Sequence, residues 1–196
     1  VVLFAHEPMF PCGAHVGDAM WYGGNNNVRA YTFTGGKLRP EPAGILEVRN
    51  RLARIVGASG KIAAVLSSHD HAYYRLRVDR DVPIGLPDQD DKNGDGKIDW
   101  AAGEPASPLR ALKRPAWYIT SGGGGAPYSG EMPAPWNRYW HGRPRAQERD
   151  AYRFSSQENV LIFHAGATGV SLRVYNPYGE LIDEVRDLTA VRKGER

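Results

Sequence analysis

The stretch Ile62-Ala63-Ala64-Val65-Leu66 is an unbroken apolar run, bounded by Gly60-Lys61 before it and the polar cluster Ser67-Ser68-His69-Asp70-His71 after it. A run with nothing polar in it cannot alternate between core and solvent, so it predicts a central strand buried on both faces. Such a strand belongs to the α/β class, and the two histidines sit where it ends, the edge at which open α/β sheets place their ligands. Residues two apart on an extended backbone share a side, so His69 and His71 can aim both rings at one point if strand geometry persists through them. Imidazoles are neutral nitrogen ligands for Zn, Fe or Mn. The pair is therefore a candidate metal site, with two ordinary surface or core histidines as the alternative.

The residues around this pair carry a family resemblance. Ser68-His69-Asp70-His71-Ala72-Tyr73-Tyr74-Arg75 resembles the Gly-His-x-His-x-Tyr-x-Arg motif that closes the active site of calcineurin-like metallophosphoesterases, in the form used by purple acid phosphatases. Ser68 stands where that motif has Gly. Val1-Val2-Leu3-Phe4-Ala5-His6-Glu7-Pro8 is similar to the family's apolar strand ending in His-x-Pro. His15 lies nine residues beyond His6, a spacing at which some purple acid phosphatases carry a substrate-contacting His.

The resemblance implies the second half of a metallophosphoesterase-type β-sandwich flanked by helices, its mixed sheet ending in an antiparallel meander. It assigns His6 and His69 to one metal and His71 to the other, the two being divalent or trivalent Fe, Zn or Mn. Two such ions polarise a phosphoryl group and activate a hydroxide for in-line attack. His15 is assigned to catalysis, as a contact to the phosphoryl group or as the acid that protonates the leaving oxygen; the alternative is an exposed loop histidine. Tyr74 and Arg75 are assigned to the phosphoester substrate. The family's other ligand motifs, Asp-x-His, Gly-Asp-x-x-Asp or Tyr, and Gly-Asn-His-Asp/Glu, are absent from the sequence. The expectation is a carboxyl-terminal half that needs an N-terminal half as its partner and is inactive alone. The resemblance also favours an extracellular or periplasmic, secreted protein. A different class stays open: a non-catalytic, calcium-stabilised binding or structural module on the same frame.

Calcium enters through Asp91-Lys92-Asn93-Gly94-Asp95-Gly96-Lys97-Ile98-Asp99. Oxygen-bearing side chains at loop positions 1, 3, 5 and 9, with Gly at 6, match an EF-hand-type loop in which Asp91, Asn93, Asp95 and Asp99 would ligate through side chains and Lys97 through its carbonyl. Position 12 is Ala102, and Pro83, Pro87, Pro105 and Pro108 leave no room for flanking helices. The expectation is a lone structural Ca²⁺ loop in an insertion over about 83–108; an acidic surface turn is the alternative.

A hydrophobic content of 41% with 24% charged residues argues against wholesale disorder, and 196 residues suffice for one domain. The net charge of +3 and the lack of a basic block interleaved with aromatics argue against a nucleic-acid partner. No apolar run of about 18 residues predicts a membrane span. The single Cys12 has no internal disulfide partner and reads as a small loop residue.

The remaining pattern predicts a strand over Val1 to Ala5 and short extended segments such as Val28 to Phe33 near a Gly35-Gly36 turn. It predicts a helix from Pro42 to Val56 with Ile45, Val48, Leu52, Ile55 and Val56 on its packed face. Strand one, this helix and the His69 strand would form a right-handed unit with parallel strands. Pro115 to Ser121 reads as a strand entering the glycine run Gly122 to Gly125. Ala126 to Arg153 reads as an ordered lid or surface loop with a substrate-contacting role. Asn159 to His164, Val170 to Tyr175 and Leu181 to Arg186 read as the meander, with His164 a packed residue, before a fraying tail.

Overall fold

The computed structural model describes residues 1–17, 31–40, 45–84, 112 and 114–190. In chain order these form β1 (Val2–Phe4), a 3-10 turn (Ala14–Gly17), β2 (Tyr31–Thr34), β3 (Lys37–Pro40), α1 (Ile45–Ala58), β4 (Ala64–Ser67) and β5 (Tyr73–Val78). There follow β6 (Ala116–Ser121), α2 (Pro135–His141), α3 (Arg145–Ala151), β7 (Tyr152–Ser155), β8 (Val160–Gly166), β9 (Gly169–Tyr175) and β10 (Leu181–Val185). The class is mixed α/β: a five-stranded sheet ordered β1-β4-β6-β5-β7, a three-stranded sheet β10-β9-β8 and a two-stranded hairpin β2-β3. The calcium-loop residues Asp91, Asn93, Asp95, Lys97 and Asp99, the Gly23–Asn27 turn and the end of the tail lie outside the described residues.

The apolar run becomes β4, flanked in parallel by β1 on one side and β6 on the other. Its near-total burial follows from its position, because both faces of the sheet are covered. Val65, Tyr74, Leu76, Val78, Ala116 and Tyr118 face a core shared with Ala53 and Val56 of α1, Trp136 and Trp140 of α2, and Met9 and Phe10. The alternate residues Ala64, Tyr73, Trp117 and Ile119 face Leu172, Val174 and Leu188, so the three-stranded sheet covers the other side. The period of two thus sorts one strand set into two cores. Among the described residues β1 pairs only with β4, and Phe4 at its end is exposed.

The β2-β3 hairpin turns at Gly35 and Gly36, with φ of 63° and 75°. Two consecutive positive φ values match the twist of a two-residue hairpin, and glycine adopts them without Cβ strain. The predicted meander is present as β8-β9-β10, entirely antiparallel. His164, however, is exposed on β8 rather than packed.

Two further sequence expectations are corrected. The packed face of α1 is rotated: Val48 and Ile55 are exposed, while Arg49, Asn50, Ala53 and Val56 are buried. Arg49 is accommodated because its guanidinium donates to Asn50 Oδ1 and the Ile84 carbonyl and lies 5.2 Å from the Phe10 ring centroid. A charge with that many partners no longer marks the solvent side of a helix. Residues 126–153 are not a lid. They form α2, α3 and the start of an edge strand, with Trp136 fully buried and its indole N–H donating to the Pro11 carbonyl at 2.8 Å. Tyr73 to Val78, where the sequence pattern predicts no element, is a central antiparallel strand between β6 and β7. Its arginines hid it: Arg75 sits in the interior because Asp183 of β10 meets it there, with Nε to Oδ2 at 2.5 Å. Tyr73 adds its hydroxyl to the same oxygen at 2.7 Å, so one carboxylate ties β5 to the meander.

At the α2–α3 corner, His141 lies between two carboxylates, Nε2 at 2.6 Å from Glu131 and Nδ1 at 2.7 Å from Glu148. Tyr152 and Asn137 also donate to Glu131. Partial burial alone would lower the imidazole's pKa, but the hydrogen bonds and charges of Glu131 and Glu148 outweigh it and hold it above its ordinary value.

Two outcomes follow from these pairs. Asp183→Ala leaves Arg75 buried and uncompensated and should cost about 3–5 kcal/mol in urea unfolding, whereas Glu184→Ala, on the exposed Arg173 pair, should leave the urea midpoint nearly unchanged. The stabilisation from protonated His141 is fully present below the unfolded pKa of ~6.5 and disappears as pH rises through the raised folded value. Unfolding free energy should therefore fall across that window, and His141→Gln should flatten the profile.

Candidate metal centre

Parallel pairing of β1 with β4 continues past both strands: Ala5 N–H donates to the Leu66 carbonyl at 2.9 Å and Ser68 N–H to that of His6 at 3.0 Å. The two strand ends are thus zipped together until they deliver His6 beside His69. His6 Nε2 and His69 Nδ1 lie 3.0 Å apart, with ring centroids at 4.9 Å. Two imidazoles on one ion at bonds of about 2.0–2.1 Å hold their nitrogens roughly 3–3.4 Å apart, for cis-octahedral to tetrahedral angles. The spacing therefore suits a shared metal. The other nitrogen of His6, Nδ1, is 3.2 Å from Ser68 Oγ, the kind of outer partner that fixes a ligating ring's tautomer and orientation.

His15 joins from the loop after β1, its ring centroid 4.0 Å from that of His69. His71 goes elsewhere. Its Nδ1 donates to the Pro127 carbonyl at 3.1 Å, which leaves Nε2 as the lone-pair nitrogen. Strand geometry does not persist through the pair as the alternation argument required: β4 stops at Ser67, and His69 has φ of 64°. That left-handed residue breaks the alternation. It is held in a tight turn, with Asp70 N–H donating to the Ser68 carbonyl and Ala72 N–H to that of Asp70.

Asp70, between the histidines, builds this turn. Its side chain is fully buried and accepts from Gly13 N–H at 3.0 Å, His15 N–H at 2.9 Å and the Tyr74 hydroxyl at 2.7 Å. One carboxylate thereby docks the His15 loop onto the His69 turn. Both approaches need glycine: a Cβ on Gly13 would come within 2.8 Å of the Asp70 carboxyl, and one on Gly122 within 2.1 Å of its carbonyl oxygen. The Gly122 position is the close backbone approach that a glycine run at a strand end can mark. Asp70 and Gly13 were missed by motif reading because the motif leaves the position between its histidines unspecified; an acid between two histidines at a strand end was the available signal.

Tyr74 and Arg75 do not face the site as substrate contacts. Both are buried, Tyr74 on Asp70, and Arg75 on Asp183 and the carbonyls of Arg149 and Asp150. Burial, reinforced by Asp70, raises the Tyr74 hydroxyl well above its ordinary pKa, so it stays a proton donor to that carboxylate. Cys12 is fully buried and its thiol is likewise raised by burial.

Among the described residues, no group of three or more His, Cys, Asp or Glu side chains is arranged to hold a metal ion. Compared with protein-family models, with curated proteins and with solved structures, the chain matches none significantly.

Asp70→Asn replaces an acceptor facing only donors with a group that is half donor. It should lower stability by about 1–3 kcal/mol and abolish the NMR cross-peaks between the His15 and His69 rings.

Proposed function

We propose that this chain supplies the histidine side of a dinuclear centre that hydrolyses phosphoesters, in a calcineurin-like metallophosphoesterase of the purple acid phosphatase kind. The supporting observation is the 3.0 Å approach of His6 Nε2 to His69 Nδ1, two residues from separate motifs brought together by parallel strands. In this reading His6 and His69 hold one ion and His71, through Nε2, the other. His71 takes its own outer partner in the Pro127 carbonyl. The carboxylates come from outside this sequence. Bound metals would supply Lewis acidity toward the phosphoryl oxygens and a nucleophile at neutral pH.

The chain's own contribution is placement. Ser68 and Pro127 orient the ligating rings, and Asp70 holds His15 beside His69. From there His15 reaches the phosphoryl group or hands a proton to the departing oxygen, as a general acid does. Neither Tyr74 nor Arg75 takes part in substrate binding in this scheme, because both are engaged inside the fold.

The test is turnover of p-nitrophenyl phosphate with added Mn²⁺ or Zn²⁺. The pure 196-residue chain should be inactive, and addition of a polypeptide carrying the upstream ligand motifs should produce metal-dependent hydrolysis. Within that assembly, His69→Ala should abolish activity and His15→Ala should lower kcat by roughly 10²–10⁴-fold. Appreciable turnover by the chain alone, or none by the assembly, would overturn the reading.

A further inference from the structure

The histidine end of the five-stranded sheet is also where several other segments emerge. Tyr73 is paired with Ser121 on one side and Ser155 on the other, so the turn carrying His71, the glycine run after β6 and residues 156–158 after β7 leave the sheet side by side. His71 fastens one more segment. Its Nδ1 bonds the Pro127 carbonyl and its carbonyl accepts Ser129 N–H at 3.1 Å, so Tyr128 is bracketed by two bonds to one proposed ligand. On the far side, Asn159 N–H donates to the Gly123 carbonyl at 3.2 Å and Asn159 Oδ1 accepts the Ser121 hydroxyl at 2.7 Å.

Between these walls opens a cleft of about 320 Å³, lined by Tyr128, Ser156, Gln157, Glu158, Asn176 and Tyr178 with Pro177. Tyr128 and Tyr178 are 70% and 89% exposed, two large rings left uncovered at one opening. Asn176 is fully engaged in shaping that opening: its Oδ1 accepts Tyr178 N–H and Glu180 N–H, and its Nδ2 donates to Gln157 and Glu180. The Glu158 carboxylate, by contrast, has no partner among the described residues, and the Gln157 side-chain N–H groups have none either. Aromatic faces beside an unpaired carboxylate and an unpaired amide donor suit a ring that is apolar on its face and hydroxylated at its edge.

We infer that this cleft receives the alcohol part of the phosphoester, and that this part carries a sugar ring with adjacent hydroxyls. This rests on the phosphoesterase reading, and it names the substrate class. The sugar's face lies on Tyr178, its hydroxyls donate to Glu158, and Gln157 donates to a ring or hydroxyl oxygen. A nucleoside ribose and a hexose share that chemistry.

Phosphate-free ligands and metal-free protein separate this inference from catalysis. The full chain is titrated with uridine, with methyl glucoside and with 4-nitrophenol, which has a ring but no vicinal hydroxyls, and the tyrosine ring resonances are followed by NMR. Saturable binding of uridine, of methyl glucoside or of both, weakened at least tenfold by Glu158→Ala and by Tyr178→Ala but retained in Tyr178→Phe, is the expected result. A response to uridine alone assigns a nucleotide source, and one to methyl glucoside alone a hexose phosphate. Binding of 4-nitrophenol alone, no saturable response to either sugar, or sugar binding indifferent to both alanine variants would overturn the inference. Such failure alongside metal-dependent turnover in the assembled protein removes the sugar cleft only; sugar binding without turnover removes the catalytic reading only.

Discussion

The carboxylate of Asp70 is the constraint on which the histidine site depends. A buried acid is costly unless its lone pairs are occupied, and here two backbone N–H groups from the loop after β1 and the hydroxyl of Tyr74 occupy them. The same three bonds fix where the loop lies, where the turn after β4 lies and how β5 begins. His69 is in the left-handed region at the centre of this arrangement, a conformation that persists in a non-glycine residue when its surroundings over-determine it. The cost of burying a charge and the cost of the unusual φ are met by one network, and its product is a cluster of rings from His6, His15 and His69.

A second buried acid plays the matching role on the other face of the sheet. Asp183 reaches from β10 into the interface between the two sheets and takes both Arg75 and the Tyr73 hydroxyl. The three-stranded sheet is therefore registered on the five-stranded one by directional bonds as well as by the contacts of Trp117, Ile119, Leu172 and Val174. Apolar contact alone would tolerate sliding; a guanidinium meeting a carboxylate through two of its nitrogens does not. Burial raises the Tyr73 hydroxyl well above its ordinary pKa, and the negative charge of Asp183 adds to that, so the hydroxyl stays a proton donor to that carboxylate.

The parts of this architecture that were legible in the sequence are those written in unbroken apolar or alternating patterns. The Ile62–Leu66 run, the strand before Gly122 and the closing meander all announced themselves, because apolar residues hold most of their buried positions; Thr120 and Asp183 are the polar exceptions. The parts that were not legible are those where a polar residue sits inside with a partner remote in sequence. Arg49 reversed the apparent face of α1, and Arg75 concealed β5, since neither Ile84 nor Asp183 is near enough in the chain to be read as its counterpart. In the site, the rings of His6 and His15 lie against that of His69 through a turn, in place of the extended geometry assumed for His69 and His71. Tyr74 and Arg75, expected at a substrate, are engaged inside the fold by Asp70 and Asp183.

The outer edge of β1 has a bearing on assembly. Its three residues pair with β4 on one side only among the described residues, and Phe4 presents its ring to solvent at the strand's end. An open edge is a row of unmet donors and acceptors that another strand can satisfy. A strand laid along it in the same direction would finish next to His6, so joining the sheet and approaching the imidazoles would be a single docking event.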